Sequence, residues 1–420
     1  MDFATLLREL MREREMSGRG LARRVPCDAA LISRLASGRQ RPSERMARLL
    51  DEVLGAGGAL AGASLGLAAR RAPARWSADE IGDDDVERRA LLTAMIAGPV
   101  ALQLEQIRRH LDGTSGASAS ERDADEWERV ADGYARQVTC SPAAGYLPHL
   151  LADAGEITER VISSSGGVRG RLIRSAAQIA ALTAVGLSVL GDQRTAARWW
   201  RTAARVADES GDGELAALLS GRRAVLALYG AGGDREALAH AGQALAAAGG
   251  RSYAGAASAH AARAQAYARL GRPGDARAAL ADLERVWERL PERDTGAADS
   301  EWGQPERRVR HTQSWVLTLG GGAREAWAAQ DAALAMYPTN GRGRTQVQMH
   351  RVETLIRSGD VDGGAKHCVT VLTALPAAWH RDGMIVASAR AALASVPLGL
   401  AARPAVRDAR EVLALPAGSP

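Results

Sequence analysis

Six arginines and one acidic residue lie between residues 18 and 41 of this 420-residue chain. This segment carries a net charge of +5, which equals the formal charge of the whole chain, so all other residues together sum to zero. Guanidinium groups concentrated in one short segment are suited to bind a polyanion such as the backbone of a nucleic acid. A solvated arginine-rich face is the alternative interpretation of the charge alone. The spacing of the neighbouring residues favours the first interpretation.

The first fifty or so residues have the pattern of four or five short helices. Capping residues, prolines and the spacing of apolar residues predict spans of about 3–14, 18–24, 29–37 and 43–53. The third helix would bury Ile32 and Leu35 and would end at Gly38, since glycine tolerates the left-handed conformation. A turn of three to four residues between the second and third helices is typical of a helix-turn-helix.

Residues 21–43, LARRVPCDAALISRLASGRQRPS, resemble the phage-repressor-like, or Xre-type, helix-turn-helix family. The Leu-Ala pair, the Ile-Ser pair, the glycine and the Arg-x-Arg-Pro-Ser run lie where that family has them, and the likeness covers about residues 3–54. The resemblance implies a DNA-binding domain over residues 1–54, with its third helix in the major groove of double-stranded DNA.

Two sets of residues are predicted to contact DNA. On the side of the third helix opposite Ile32 and Leu35, Arg34 is the long donor that can bind guanine O6 and N7 together. The predicted base-reading residues are Ala29, Ala30, Ser33 and Arg34. Guanidinium groups and the amide ends of the second and fourth helices suit phosphate oxygens. The predicted phosphate contacts are Ser17, Arg19, Arg23, Arg39, Arg41 and Ser43.

The chain beyond this domain is predicted to be helical, because alanine and leucine dominate and strand-like alternation is scarce. Residues 55–82, rich in glycine, alanine and arginine, are predicted to be a flexible linker, and residues 83–166 to be connecting helices. The predicted fold class is therefore all-α. Residues 167–396 are predicted to form helical repeats, and residues 397–420 a C-terminal helix and tail.

Five helix pairs recur in the repeat region, each with a glycine in its turn, at intervals of 38 to 50 residues. The turn glycines are Gly191, Gly232, Gly271, Gly321 and Gly359. A small residue follows each glycine by five positions: Ala196, Ala237, Ala276, Ala326 and Gly364. The pattern looks like the tetratricopeptide family, which implies an α-solenoid whose stacked pairs share one core. An insertion around residues 293–305 breaks the period.

A curved stack of helix pairs exposes the inner side of each first helix. The residues predicted to line this groove are Gln178, Arg222, Tyr229, Gln265, His311, Trp315, Met349 and Glu353. The groove is predicted to take an effector, either a small molecule or a peptide, or a partner chain. A solvated inner surface within a dimer is the alternative.

The sequence contains no phosphate-binding loop, dinucleotide fingerprint, nucleophile elbow or zinc-binding helix of the common types. We therefore expect no enzyme activity, no catalytic residue, no metal and no cofactor. Cys368 is predicted to be a core residue. No apolar run approaches the roughly 20 residues of a membrane span, and three cysteines far apart fit a reducing compartment. We expect a cytoplasmic protein that does not bind membranes.

These observations predict a sequence-specific transcriptional regulator that binds DNA as a homodimer and uses its helical body for dimerisation and effector sensing. The alternative is a protein-interaction scaffold in which the body recruits a partner and the helix-turn-helix head is structural. Gly18, Pro26 and Ala29 support this alternative, because the Xre-type family usually has glutamine, glycine and glutamine there. A hydrolase built on the repeats is a third reading, with no residue constellation behind it.

Overall fold

The structure is a computed structural model of the chain. It describes residues 3–60, apart from 15, 23, 26–28, 39–41, 43 and 57–59, and residues 119–414, apart from 231, 298, 339 and 340. The chain divides into two compact units, Met1–Ile81 and Gly82–Pro420, here called the N-terminal unit and the body. The described residues form nineteen α-helices and two short 3-10 helices, and no strand occurs among them. The predicted all-α fold is confirmed.

The N-terminal unit contains the four helices that the sequence predicts. They are α1 (Phe3–Glu13), α2 (Gly18–Ala22), α3 (Ala29–Ala36) and α4 (Glu44–Leu54). Their apolar faces share one core, whose fully buried members include Leu7, Leu21, Ile32, Leu35, Leu50 and Leu54. Leu60 belongs to the same core, and its N–H donates to Asp51 Oδ2 at 2.6 Å. Packing thus continues past residue 54, while the predicted linker beyond residue 60 lies outside the described residues.

The described part of the body consists mainly of helical hairpins that follow one another along the chain. Four of the described hairpins precede the insertion: α5 (Glu121–Cys140) with α6 (Ala143–Ile162), α7 (Gly166–Val189) with α8 (Gln193–Ser210), α9 (Gly213–Ala227) with α10 (Gly233–Ala248), and α11 (Ala254–Arg269) with α12 (Pro273–Trp287). The short helix α13 (Glu292–Thr295) lies within the insertion. Three hairpins follow it: α14 (Glu306–Gly320) with α15 (Ala323–Met336), α16 (Arg342–Arg357) with α17 (Val361–Thr373), and α18 (Gly383–Ala394) with α19 (Pro404–Ala414).

Each of the five predicted repeats is one of these hairpins, with its marker glycine in the turn. Gly191, Gly271 and Gly359 have φ of +87°, +68° and +95°, a conformation that favours glycine. The small residues five positions later are all buried where the second helix meets the first. At Gly364 the approach is so close that a Cβ would lie 2.7 Å from Ile356 Cγ1. The glycine and alanine pattern therefore determines the hairpins, and the body is a stack consistent with a helical solenoid.

The first helices of successive hairpins contact one another in series, in the order α5, α7, α9, α11, α14, α16 and α18. Helix α18 also contacts α7, and Met384 of α18 belongs to the same core cluster as Leu182 and Val185 of α7. The first helices from α7 to α18 therefore form a closed ring. The sequence predicts an open groove along the stack. In the structure, the first helix of the last described hairpin, α18, instead contacts the first helix of the second hairpin, α7.

Helix α7 is long and apolar enough to cross a membrane by length and composition, so the expectation that no apolar run approaches this length is wrong. Within the body, however, 78% of its most apolar window is buried against neighbouring helices. A helix that is apolar on all sides is expected at the centre of a helical body, where other helices surround it. We therefore interpret α7 as a core helix.

Candidate nucleic-acid interface and body cavity

Helix α3 is anchored in the N-terminal unit by one face and exposes the other. Ile32 and Leu35 are each 1% exposed and pack in the core with residues of α1, α2 and α4. Ser33 and Arg34 are exposed on the opposite side of the helix. Helix α3 ends at Ala36, and Gly38 in the turn that follows has a φ of +72°, the left-handed conformation predicted from the sequence. Helix α3 therefore has one apolar face in the core of the unit and one polar face on the opposite side.

Helix α2 precedes α3 and is capped at its start. The N–H of Gly20 donates to Ser17 Oγ at 3.1 Å, which confirms the predicted N-cap. Ser17 itself is exposed, as its predicted position beside a phosphate requires. Four of the other predicted contact residues lie outside the described residues: Arg23, Arg39, Arg41 and Ser43. The side chains of Arg19, Ala29 and Ala30 lie outside them as well.

The ring of first helices in the body surrounds a cavity of about 130 Å³. Residues of α9, α11, α14 and α16 line it, together with residues of the insertion. Four of the eight residues predicted to line an inner groove are in its wall: Arg222, Tyr229, Gln265 and His311. The spacing of these residues from the turn glycines therefore predicts half of the set that lines one cavity.

The other four predicted groove residues lie elsewhere in the body. Trp315 packs edge-on behind Tyr229, with ring centroids 5.8 Å apart. Met349 faces the apolar core, where its sulfur lies 3.9 Å from the thiol of Cys368, so its predicted place in the groove is wrong. Glu353 accepts a hydrogen bond from Arg357 at 3.0 Å. Gln178 is half-buried on α7 and is not in the cavity wall.

The insertion between α12 and α14 forms one side of the cavity. Its backbone is tied to α5, since Glu301 N donates to Ala135 O at 2.7 Å and Thr139 Oγ1 donates to Asp299 O at 2.8 Å. Gln304 Nε2 donates to Ser258 Oγ of α11 at 2.9 Å. The segment that breaks the repeat period thus contributes Glu301 and Gln304 to the cavity wall.

Glu301 is the acidic centre of the cavity wall and is 2% exposed. Its carboxylate accepts a hydrogen bond from Arg222 Nε and lies 3.5 Å from Arg308 Nη2. Arg308 also donates to the carbonyl oxygen of Glu301 at 2.9 Å. Burial acts to raise the pKa of Glu301, but Arg222 and Arg308 outweigh it and hold the pKa below its ordinary value. The carboxylate is therefore ionised and bridges two half-buried guanidinium groups.

Two more arginines line the cavity. Arg342 Nε donates to Asp382 Oδ2 at 2.7 Å, and both side chains are almost fully buried. Arg307 lies over the ring of Tyr337, with 5.9 Å between the guanidinium carbon and the ring centroid. Sequence reasoning missed these arginines and Glu301. The one feature of the sequence that points to this part of the cavity is the insertion that breaks the repeat period, which contains Glu301, Trp302 and Gln304.

A neutral aromatic group adjoins the arginines. The rings of His311 and His350 lie 5.1 Å apart, and His350 Nδ1 is 2.8 Å from Ser314 Oγ. Burial, followed by the charges of Arg222 and Arg308, lowers the pKa of His311 to about 4. His311 is consequently uncharged at neutral pH. The positive charge of the cavity therefore comes from its arginines.

Cys368 is fully buried between α16 and α17, as the sequence predicts. Burial raises the pKa of its thiol to about 12, so the thiol stays protonated at neutral pH. A protonated thiol in an apolar core is neither a nucleophile nor a metal ligand. Cys368 is a packing residue.

Comparison with protein families gives one finding that bears on the N-terminal unit. Residues 2–64 match a family described as a helix-turn-helix domain. The match includes helices α1 to α4 and extends to the residues around Leu60. The N-terminal unit is therefore a helix-turn-helix domain, the class of module that places a helix on DNA. Comparison with curated proteins and with solved structures returned no match.

Proposed function

We propose that the protein is a sequence-specific transcriptional regulator of the Xre type, without enzyme activity, in which α3 reads the major groove of double-stranded DNA. The observation that carries this proposal is the helix-turn-helix match over residues 2–64, together with the exposed face of α3. Net positive charge concentrated between residues 18 and 41 supports it, because the DNA backbone attracts such a segment.

Base contacts are proposed for one side of α3. Arg34 would donate two hydrogen bonds to guanine, while Ala29 and Ala30 would contact thymine methyl groups and Ser33 a base edge. The proposed phosphate contacts, which set register rather than sequence, are Ser17, Arg19, Arg23, Arg39, Arg41 and Ser43.

The body is proposed to be a tetratricopeptide-like domain that dimerises the chain and binds an effector. A dimer would place two α3 helices on a two-fold operator. An effector with different affinities for two arrangements of the body would then change operator affinity. The domain limits proposed are those of the sequence prediction: residues 1–54, 55–82, 83–166, 167–396 and 397–420. We also propose that the protein works in the cytoplasm.

Selection of bound fragments from genomic DNA by the full-length protein tests DNA reading. We expect enrichment of a related set of sites, bound at least about 10³-fold more tightly than random DNA at physiological salt. Arg34→Ala should weaken binding to these sites by roughly 5- to 100-fold, the loss of one bidentate guanine contact. Arg12→Ala, which removes an exposed arginine from α1, is the matched control and should have little effect.

If no fragment is enriched over random DNA, the regulator proposal is overturned. The helical-repeat scaffold would then be the better description. In that case the full-length protein should still fold, and its N-terminal unit should bind DNA without sequence preference.

A further inference from the structure

The cavity in the body has an excess of positive charge. Four guanidinium groups line it, those of Arg222, Arg307, Arg308 and Arg342, against the single carboxylate of Glu301. Two acidic residues approach from beside the wall. Asp382 pairs with Arg342, and the exposed Asp299 lies 3.9 Å from Arg307. Guanidinium groups remain in excess when both carboxylates are counted.

The carboxylate of Asp382 is already engaged by its own helix. Its Oδ1 accepts the N–H groups of Met384 and Ile385 at 3.0 and 3.2 Å, which caps α18, while its Oδ2 accepts from Arg342 Nε. Glu301 is similarly divided between Arg222 and Arg308. Each of these two carboxylates therefore serves several donors, and Arg342 Nη2 keeps no hydrogen-bonding partner among the residues that the structure describes.

Several buried polar atoms of the wall are unpaired within the protein. Arg342, Gln265, Gln304 and His311 are 7%, 2%, 3% and 9% exposed. Their atoms Arg342 Nη2, Gln265 Oε1, Gln304 Oε1 and His311 Nδ1 have no hydrogen-bonding partner among the residues that the structure describes. Unpaired buried polar atoms reduce the stability of a fold, so they are rare unless something binds them. Here they come from three helices and the insertion and surround one space.

The crowding of arginines also affects their acidity. Burial, and then the neighbouring Arg222, lower the pKa of Arg308 to about 10. A negative charge placed in the cavity would relieve this repulsion. A neutral or cationic molecule would not.

The size of the cavity limits what it can hold. A volume of about 130 Å³ is close to that of an engineered protein cavity that accepts benzene, a molecule of six heavy atoms. The space fits a small anion of roughly that size, or the anionic end of a slightly larger molecule.

We propose that this cavity binds a small organic anion with a carboxylate or phosphate group, held by Arg342 and the neighbouring guanidinium groups and oriented by Gln265 and Gln304. The inference names the chemical class of the effector and rests on the proposed function only for its consequence at DNA. Binding itself is measured without DNA, so its failure and the failure of DNA reading are distinguishable.

Thermal unfolding of the full-length protein, followed by tryptophan fluorescence, tests the proposal. All nine tryptophans follow residue 75, so this signal does not come from the helix-turn-helix helices. The probes are succinate, glycerol 3-phosphate and inorganic phosphate, with neutral succinamide as the control, all at one ionic strength. At least one anion should raise the midpoint by about 3 °C in a saturable manner, and succinamide should not. The shift of the midpoint with succinate, compared with the shifts with the two phosphates, shows whether the cavity prefers a carboxylate or a phosphate group.

Two variants locate the binding. Arg342→Lys keeps a cation beside Asp382 but removes the free nitrogen, and should lower anion affinity at least about tenfold. Gln265→Met removes an unpaired buried oxygen, so it should melt no lower than the wild type without anion and yet lose most of the anion-induced shift. Arg357→Lys, at an exposed ion pair on the same helix as Arg342, is the control and should respond like the wild type.

Three results would overturn the proposal. One is the absence of any saturable shift with all three anions. Another is an equal shift with succinamide. The third is an anion-induced shift that Arg342→Lys and Gln265→Met both retain in full, which would place the binding elsewhere on the protein.

Discussion

Arginines gather in two places in this chain, and their surroundings differ. Between residues 18 and 41 there are six arginines and one acid, and Arg34 is on an exposed helix face. In the body, Arg342 is buried and Arg222 is half-buried, and each is paired with a carboxylate that lies 40 or 79 residues away along the chain. The comparison shows that arginine content alone does not define a binding site. A segment with six arginines and one acid suits a polyanion, whereas arginines already paired with carboxylates inside a helical body suit one small anion.

Removing the carboxylate at the centre of the cavity should have the largest effect on the body. Glu301→Ala leaves the half-buried Arg222 and Arg308 without their shared partner, and we expect a loss of about 2–4 kcal/mol in the free energy of unfolding. Urea unfolding followed by tryptophan fluorescence measures it. Glu292→Gln, at an exposed position of the insertion, is the control and should change stability by less than about 0.5 kcal/mol. A loss below about 1 kcal/mol for Glu301→Ala would show that these two arginines do not depend on it.

The close crossing of α9 and α11 holds Arg222 in the cavity wall and should tolerate no added methyl group. A Cβ at Gly221 would lie 2.2 Å from Gly255 O. We expect Gly221→Ala to cost at least about 1–3 kcal/mol, because the two helices must move apart. Gly242→Ala, inside α10 with no atom within 4 Å of the new Cβ, should instead stabilise by about 0.5–1 kcal/mol. Equal effects of the two substitutions in urea unfolding would contradict this packing.

The buried histidine of the cavity wall makes the body sensitive to acid. His311 has a pKa of about 4 in the folded body, below its ordinary value of 6.5. Between pH 6.5 and 4 the unfolded chain binds a proton that the folded body does not, so this contribution to stability is present above pH 6.5 and is lost as the pH falls. His311→Asn should reduce the loss by up to about 1.4 kcal/mol per pH unit. His149→Asn, at an exposed site, should not, and an unchanged slope for His311→Asn would refute the prediction.

The salt dependence of binding should differ between the N-terminal arginines and the cavity arginines, with a smaller effect than the substitutions above. DNA binding should weaken steeply with salt, and Arg41→Ala should lower the slope of log K against log salt by about 0.9, the loss of one phosphate contact. Anion binding in the body should change little over the same range, because buried charges are poorly screened. Titrations at several chloride concentrations measure both. The comparison fails if the two salt dependences are alike.

Local patterns in the sequence predict much of this fold. The turn glycines predict five hairpins because the left-handed turn and the close helix packing both depend on residues near in sequence, as at Gly191 and Gly271. The α3 face was predicted for the same reason, since Ile32 and Leu35 fix which side of one helix is buried. Ser17 as an N-cap is another local feature.

The cavity could be predicted only in part. Arg222 and Gln265 were identified because a helix repeat places them on an inner face. Glu301 and Gln304 were not, because the insertion has no period and its contacts with α5, α9 and α11 are distant in sequence. Met349 lies on α16 like Arg342 and Gln346 of the cavity wall, but further along the helix, where it packs in the apolar core with Cys368. The return of α18 to α7 likewise depends on the summed geometry of all the hairpins.

The proposed contact between Arg34 and a base pair is tested most directly by measuring which base pair of the site loses its effect on affinity when Arg34 is replaced. Wild type and Arg34→Ala are titrated onto a selected site and onto versions of it with each base pair changed in turn. Wild type should discriminate by about 5- to 100-fold against changes at one G·C pair in each half-site, and Arg34→Ala should lose discrimination at that pair alone. If Arg34→Ala keeps the full discrimination of the wild type at every position, α3 does not read DNA through Arg34.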